Sequence, residues 1–213
     1  MSSSTRVAVI VAHPDDETLW AGGTILSHPE WECYIAALCR GSDPDRSPKF
    51  HRALRQMDAS GDMADLDDGA EQTPLPSAVV EGAVLSLLAD NEFDLAVTHG
   101  PWGEYTRHRR HEEASSAVTG LWTAGRILAD NLWLFAYEDG GGQYLPRPRR
   151  DAHRIERLDT ETWTRKYSII TETYGFAPDS LEARTTPTEE AFWCFESARE
   201  LNAWLQRRRC EGS

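Results

Sequence analysis

The stretch 7–23, VAVIVAHPDDETLWAGG, sets an unbroken apolar run directly against a histidine, a proline and three consecutive acids. The run RVAVIVA at 6–12 is rich in β-branched residues and does not alternate with polar ones. A strand covered on both faces reads this way, and such strands belong to parallel sheets. Pro14 cannot continue a ladder, so the chain turns there. Asp16 to Ser27 is expected to be a helix, whose N-terminal dipole tolerates Asp15, Asp16 and Glu17. Gly22 and Gly23 are expected to let that helix approach the strand closely. In open parallel sheets, ligands bind beyond the carboxyl ends of the strands, where His13 stands. A neutral imidazole and a carboxylate are good zinc ligands. His13 and Asp16 are therefore candidates to share an ion, with Asp15 left free as a base. Taken alone, the same stretch also describes an ordinary helix start with acids in its first turn.

Outward from this stretch, ECYIAALCR (32–40), FDLAVTHG (93–100) and NLWLFAYED (131–139) read as further strands. The polar region after residue 40 contains one helical stretch near 49–60, and SAVVEGAVLSLLADN (77–91) carries apolar residues at helical spacing. Asp159, Trp163, Tyr167, Ile170 and Tyr174 form a helical stripe that ends at Gly175, a C′ residue. TPTE at 186–189 announces a last helix, with Thr186 as N-cap, Pro187 at N1 and Glu189 closing a capping box. Strands alternating with helices imply an α/β fold: one domain over 1–213, with an open, mostly parallel sheet and helices on both faces.

The chain has 213 residues, 40% of them hydrophobic, enough to bury a substantial core. Its formal charge of -13, from 35 acids and 22 bases, argues against nucleic acid or an anionic membrane as main partner. RPRRDAHR (147–154) is a short basic cluster followed by acids and reads as a solvated loop. No apolar run approaches the ~20 residues of a membrane span, and MSSSTR lacks the apolar stretch of a signal peptide. Cys33, Cys39, Cys194 and Cys210 are scattered, as thiols in a reducing compartment would be. A cytoplasmic protein is expected.

A second constellation lies at THGPWGEYTRHRRHEEA (98–114), again after a β-type run and at the start of an expected helix. His108 and His111 are three apart and share a face of a helical turn. One is placed to bind metal and the other to reach a substrate. Gly100, Pro101 and Gly103 break regular structure just before them, and Trp102 and Tyr105 are candidates for the wall of a sugar-sized pocket. A mononuclear catalytic zinc needs a third protein ligand, which this segment supplies.

AHPDDE followed by a strand-end HxxH segment resembles the LmbE-like, or PIG-L, family of zinc-dependent de-N-acetylases, over residues from about 6 to 180. The resemblance implies a Rossmann-like α/β sandwich and one zinc ion per chain, another divalent metal being the alternative. It makes His13, Asp16 and His111 the metal ligands, Asp15 the general base, and His108 an acid or oxyanion stabiliser. It also implies an N-acetylated small-molecule partner, with an N-acetylglucosaminyl-type glycoside as the first choice. A non-sugar amide such as a thiol S-conjugate, a non-catalytic metal- or sugar-binding module and a phosphoester hydrolase are the alternatives, and a homo-oligomer is left open. Arg52, Asp67, Trp102 and Tyr105 are the candidate substrate contacts, and Lys166, Tyr167 and the GGGQY loop are expected to border the cleft.

Two departures stand out. Many relatives read Gly-His-Pro-Asp-His where this chain has Thr106-Arg107-His108-Arg109-Arg110-His111, so Arg110 replaces the orienting acid. Glu104 or Glu112 is then expected to aim His108. Relatives also carry Arg-x-x-Glu after the second strand; in HRALRQMDASGDM, Arg52 keeps the base and Arg55 stands where the acid would be.

Overall fold

A computed structural model describes residues 4–88, 92–105 and 108–211. Nine strands are described: β1 (Thr5–Val11), β2 (Trp31–Cys39), β3 (Ser60–Leu66), β4 (Glu92–Thr98), β5 (Leu128–Phe135), β6 (Tyr137–Glu138), β7 (Arg147–Pro148), β8 (Arg154–Arg157) and β9 (Glu189–Phe195). The helices are α1 (Asp16–Ser27), α2 (Arg46–Gln56), α3 (Ser77–Leu87), α4 (Arg109–Thr123), α5 (Thr160–Ser168), α6 (Leu181–Thr185) and α7 (Ala198–Glu211), with a π-helical turn at Ile169–Thr173. Seven strands form one sheet in the order β3-β2-β1-β4-β5-β9-β8. The first five are parallel; β9 runs antiparallel to β5, and β8 antiparallel to β9. The strand β1 shows why the apolar run lacks alternation. Val7, Val9 and Val11 pack into one core, with α1 and α2, while Ala8 and Ile10 pack into the other, with α3 and α4.

Sequence and structure part company at the edge strand β3 and at β9, which lies between β5 and β8. SGDMADL was read within a polar region, yet it is the edge strand β3. Edge strands bury little and tolerate charge, so their pattern is weak. What holds it in register is a close approach: a Cβ on Gly61 would meet the Ile35 carbonyl oxygen at 2.0 Å. The helix expected from Thr186 is instead strand β9. Thr186 closes the preceding helix α6, its hydroxyl donating to the Glu182 carbonyl at 2.9 Å. The following EEAFWCF is dominated by residues that favour a pleated surface: Phe192 enters one core, and Ala191, Trp193 and Phe195 the other. Tertiary burial on both faces outweighs a local capping pattern.

The helix expected near 49–60 is shifted to Arg46–Gln56, and the described part of the helix at 77–91 ends at Leu87, with residues 89–91 outside the described set. Gly175 ends the stripe from Asp159 as expected, with φ +79°. Gly23 does make a close approach, but to Leu158 rather than to the strand: an added Cβ would lie 2.3 Å from its side chain.

Candidate metal centre

The order β3-β2-β1-β4-β5 makes β1 and β4 neighbours while their following segments leave to opposite faces. A crevice opens at such a switch point, at the carboxyl ends of the strands. His13 follows β1 there, and His99 to His111 follow β4. The turn after His13 is strained. Asp15 has φ 129°, outside the range an L-residue favours, at a cost of about 1–3 kcal/mol. Glu17 holds it in place. Its fully buried carboxylate accepts the Asp15 backbone N–H at 2.9 Å, the Thr18 hydroxyl at 2.6 Å and the Tyr174 hydroxyl at 2.7 Å. The third acid of the motif is thus a brace, and Tyr174 reaches it from the end of the π-helical turn.

Three candidate ligand atoms converge. His13 Nδ1 lies 3.1 Å from Asp16 Oδ2, His111 Nε2 lies 3.3 Å from His13 Nδ1, and His111 Nε2 lies 3.4 Å from Asp16 Oδ2. A tetrahedral ion with ligands at about 2.0–2.1 Å has edges of about 3.3 Å, so this triangle is of the size one face requires. The outward nitrogens are committed in a way that frees the inner ones. His13 Nε2–H donates to Asp68 Oδ1 at 3.1 Å, and His111 Nδ1–H donates to Glu104 Oε2 at 2.6 Å. Each ring is fixed in the tautomer that presents a lone pair to the cluster, the usual arrangement behind metal-binding histidines. Asp16 Oδ1 is held by the Trp20 indole N–H at 3.1 Å, while Oδ2 faces the cluster and also accepts the His13 backbone N–H at 2.9 Å.

Electrostatics point the same way. Burial opposes charge on His111, but Asp16 and Glu104 outweigh it and raise the imidazole to about 10. Burial likewise opposes charge on His13, and Asp16 and Asp68 raise it. Burial would push Asp16 up, yet His111 and His13 hold it well below the ordinary carboxylate range. The point between these groups favours a positive charge, for which a proton and a divalent ion compete.

Three other sets of side chains are close enough to compete, and the first, His13 with His108 and His111, draws on the same two imidazoles. His99 stacks on His111 at 4.0 Å and, with Asp16, forms a cluster of ligand-type atoms within 4.8 Å. Its nitrogens are both spent, however: Nε2 accepts the Ala12 N–H at 2.9 Å and Nδ1–H donates to Glu104 at 2.8 Å. Cys39 lies near His13 and Asp68, but burial pushes its thiol up to about 12, which disfavours the thiolate a metal needs.

Asp15 lines the cleft above the triangle, and among the described residues no side chain hydrogen-bonds its carboxyl group. Burial, with the Asp16 charge added, raises it well above the ordinary carboxylate range. His108 caps α4 at the same cleft, its ring 4.6 Å from that of His13 and 4.5 Å from that of His111. Among the described residues its buried Nδ1 has no hydrogen-bond partner, and burial followed by the two neighbouring histidines lowers it to about 4.

Glu104, one of the two acids expected to aim His108, turns elsewhere. Glu104 aims His111 and His99, not His108, and Asp68 aims His13. Arg110, standing where an acid was expected, is buried and ties the Asp67 and Thr73 carbonyls and Glu113 to α4. It thereby anchors the loop that carries Asp68. Asp67 itself is exposed; besides its backbone carbonyl, its carboxylate lies 3.6 Å from the Arg110 guanidinium. Arg52 is exposed on α2 and does not line the cleft; Arg46 and Arg40 do. Lys166 is fully buried in an ion pair with Glu190 at 2.7 Å, so it braces the core and does not border the cleft. Tyr105 lines the cleft, 5.4 Å from the His111 ring, whereas Trp102 stands in a neighbouring hollow.

No protein-family model matches the chain, and no curated protein matches it either. Solved structures do. The A40926 pseudoaglycone deacetylase Dbv21 superposes with a TM-score of 0.65 at 17% identity, covering 92% of this chain and 99% of its own. The N,N'-diacetylchitobiose deacetylase of Pyrococcus horikoshii gives 0.65 at 16%, covering 90% and 84%. The fold is that of the LmbE-like deacetylases. GalB, a 4-carboxy-2-hydroxymuconate hydratase of Pseudomonas putida, also shares it, at TM-score 0.60 and 16% identity over 89% and 95%. One fold thus carries at least two chemistries, and the activity has to be argued from the site.

Proposed function

We propose that this protein is a metal-dependent amide hydrolase that removes the acetyl group from an N-acetylated sugar or sugar conjugate. The observation that carries the reading is the triangle of His13 Nδ1, Asp16 Oδ2 and His111 Nε2, with Asp15 beside it, its carboxyl group hydrogen-bonded by no side chain among the described residues. Two nitrogens and one carboxylate oxygen with an open fourth position are the donor set of a catalytic zinc. Such an ion supplies Lewis acidity to an amide carbonyl and to water.

The chain's own groups do the rest. Asp15 takes the proton of the attacking water and returns it to the leaving amine, the task of a positioned carboxylate with a raised pKa. His108 donates a hydrogen bond to the developing oxyanion, worth about 3 kcal/mol in comparable sites. The strained turn at Asp15, braced by Glu17, keeps the base beside the ligands without spending its oxygens on the protein. The N,N'-diacetylchitobiose deacetylase that shares the fold acts on an acetylated sugar by its name, which favours an N-acetyl sugar over other amides.

The test is metal content by mass spectrometry, then acetate release from N-acetyl sugars, N-acetylated thiol conjugates and simple acetamides, with and without chelator. Bound metal and chelator-sensitive release from the sugars are expected. Chelator-insensitive release would reject the mechanism, and metal binding without any release would make the chain a binding module.

A further inference from the structure

Asp68, which aims His13, sits on the loop after the edge strand β3, where little packing fixes a side chain. Its carboxylate is nonetheless fully committed. Oδ1 accepts His13 Nε2–H at 3.1 Å and the Gln72 amide at 3.0 Å. Oδ2 accepts Arg40 Nε–H at 3.1 Å and lies 2.9 Å from a terminal nitrogen of the same guanidinium. We propose that Arg40 is a positioning residue: by holding Asp68 from the end of β2, it fixes the ring that presents His13 Nδ1 to the candidate metal centre. The inference rests on the metal-dependent reading above and extends it one residue outward, beyond the carboxylates that touch the ligands.

The backbone at Arg40 is not what packing alone would ask for. Its φ is +66°, in the left-handed region that disfavours any residue with a Cβ. Neighbouring bonds hold it there: the Cys39 N–H donates to the Ala12 carbonyl at 2.9 Å, and the Gly41 N–H to the Ala64 carbonyl at 2.8 Å. A glycine at 40 would adopt this conformation freely, yet the residue is an arginine. Its side chain is 43% exposed, so burial does not explain its presence either. A strained residue that packs little marks a constraint other than stability.

The fork explains the residue type. Two nitrogens of one planar guanidinium converge on one carboxylate oxygen, which a lysine ammonium meets only as a point charge. The remaining nitrogen lies 3.4 Å from Asp43 Oδ2, so the guanidinium is itself steadied between two acids. Arg110 meanwhile ties the Asp67 carbonyl to α4. One arginine thus holds the backbone next to Asp68 and the other holds its carboxylate. Together they keep the acceptor for His13 Nε2–H in place, and with it the tautomer whose Nδ1 faces the cluster.

The experiment titrates the chelated full chain with zinc against a chromophoric chelator, so that affinity is read without turnover. Asp68→Ala should weaken zinc binding about 10–100-fold, the range for a partner behind a ligand histidine. Arg40→Ala and Arg40→Gly should both weaken it by about 3–10-fold, a part of that loss, and Arg40→Lys by less. In the Asp68→Ala background, Arg40→Ala should add nothing. Urea midpoints of the chelated variants separate backbone from side chain. Arg40→Gly should be more stable than Arg40→Ala, because glycine is at ease at φ +66°, while their zinc affinities coincide.

Wild-type zinc affinity in Arg40→Ala would overturn the inference; a fall in acetate release from N-acetyl sugars alone would make Arg40 a substrate contact instead. An equal loss from Arg40→Ala with and without Asp68 would also overturn it, since the two residues would then act independently. So would zinc affinity that tracks the urea midpoint, higher in Arg40→Gly than in Arg40→Ala. Zinc binding weakened in Arg40→Ala, with no acetate release by wild type, would support the positioning role and reject the hydrolase. No zinc binding by wild type would overturn both.

Discussion

The two ends of the central sheet hold hollows of opposite character. At the amino ends of the strands lies the larger, about 770 Å³, lined by residues such as Arg6, Trp31, Tyr34 and Phe93. At the carboxyl ends lies a cleft of about 160 Å³. Among the described residues, all three groups of metal-capable side chains within mutual reach include residues that follow β1 or β4 at the second end; none lies at the first. The strained Asp15, the unpartnered His108 Nδ1 and the buried histidine–carboxylate pairs are also at the second end. Volume alone would favour the hollow at the amino ends, away from the candidate metal centre. A site is marked by where the fold spends stability on conformations and charges that packing does not require.

The contrast can be broken most directly at Asp15. Asp15→Asn leaves the ligand triangle in place, so metal content should be unchanged while kcat falls by about 10²–10⁴. Wild-type turnover in that variant would remove the base from the mechanism. Next comes Glu104, which accepts from His99, His111 and the Gly100 N–H. Glu104→Gln turns one of those acceptors into a donor and should weaken metal binding about 10–100-fold, measured by competition with a chromophoric chelator.

Glu104 also carries a pH signature. Burial would raise its pKa, but His99 and His111 pull it down from 4.5 to about 2. A carboxylate whose folded pKa is depressed stabilises the fold fully above its unfolded value and loses that contribution as pH falls through the folded one. In chelated protein, the gap in urea midpoint between wild type and Glu104→Gln should therefore narrow from pH 4.5 to pH 2. A gap constant across that window would contradict the assignment.

Smaller effects sharpen the comparison. Glu17→Gln should cost about 1–3 kcal/mol of stability, since its amide cannot accept at both positions, and kcat should drop with it as the Asp15 turn loosens. At the amino end, Trp31→Ala should cost about 1–3 kcal/mol through lost packing against His28 and Trp133. Its kcat/KM should equal that of wild type. A change in kcat/KM there would mean that the larger hollow takes part in the reaction after all.

What the sequence determined by itself were the features written in adjacent residues. The unalternating β-branched run at 6–12 meant a strand buried on both faces, and the break at Pro14 put His13, Asp15 and Asp16 at its carboxyl end. The spacing of His108 and His111 on one helical turn was equally legible. Local chemistry suffices for such features because neighbours along the chain are neighbours in space.

Only the tertiary structure decided the rest. Glu104 and Asp68 aim the two candidate ligand histidines, His99 is occupied by Ala12 and Glu104, Arg46 rather than Arg52 meets the cleft, and β9 is a strand despite its capping pattern. Each depends on partners brought together by the sheet order. A carboxylate several turns or a whole strand away carries no mark of the imidazole it will orient until the fold removes both from water.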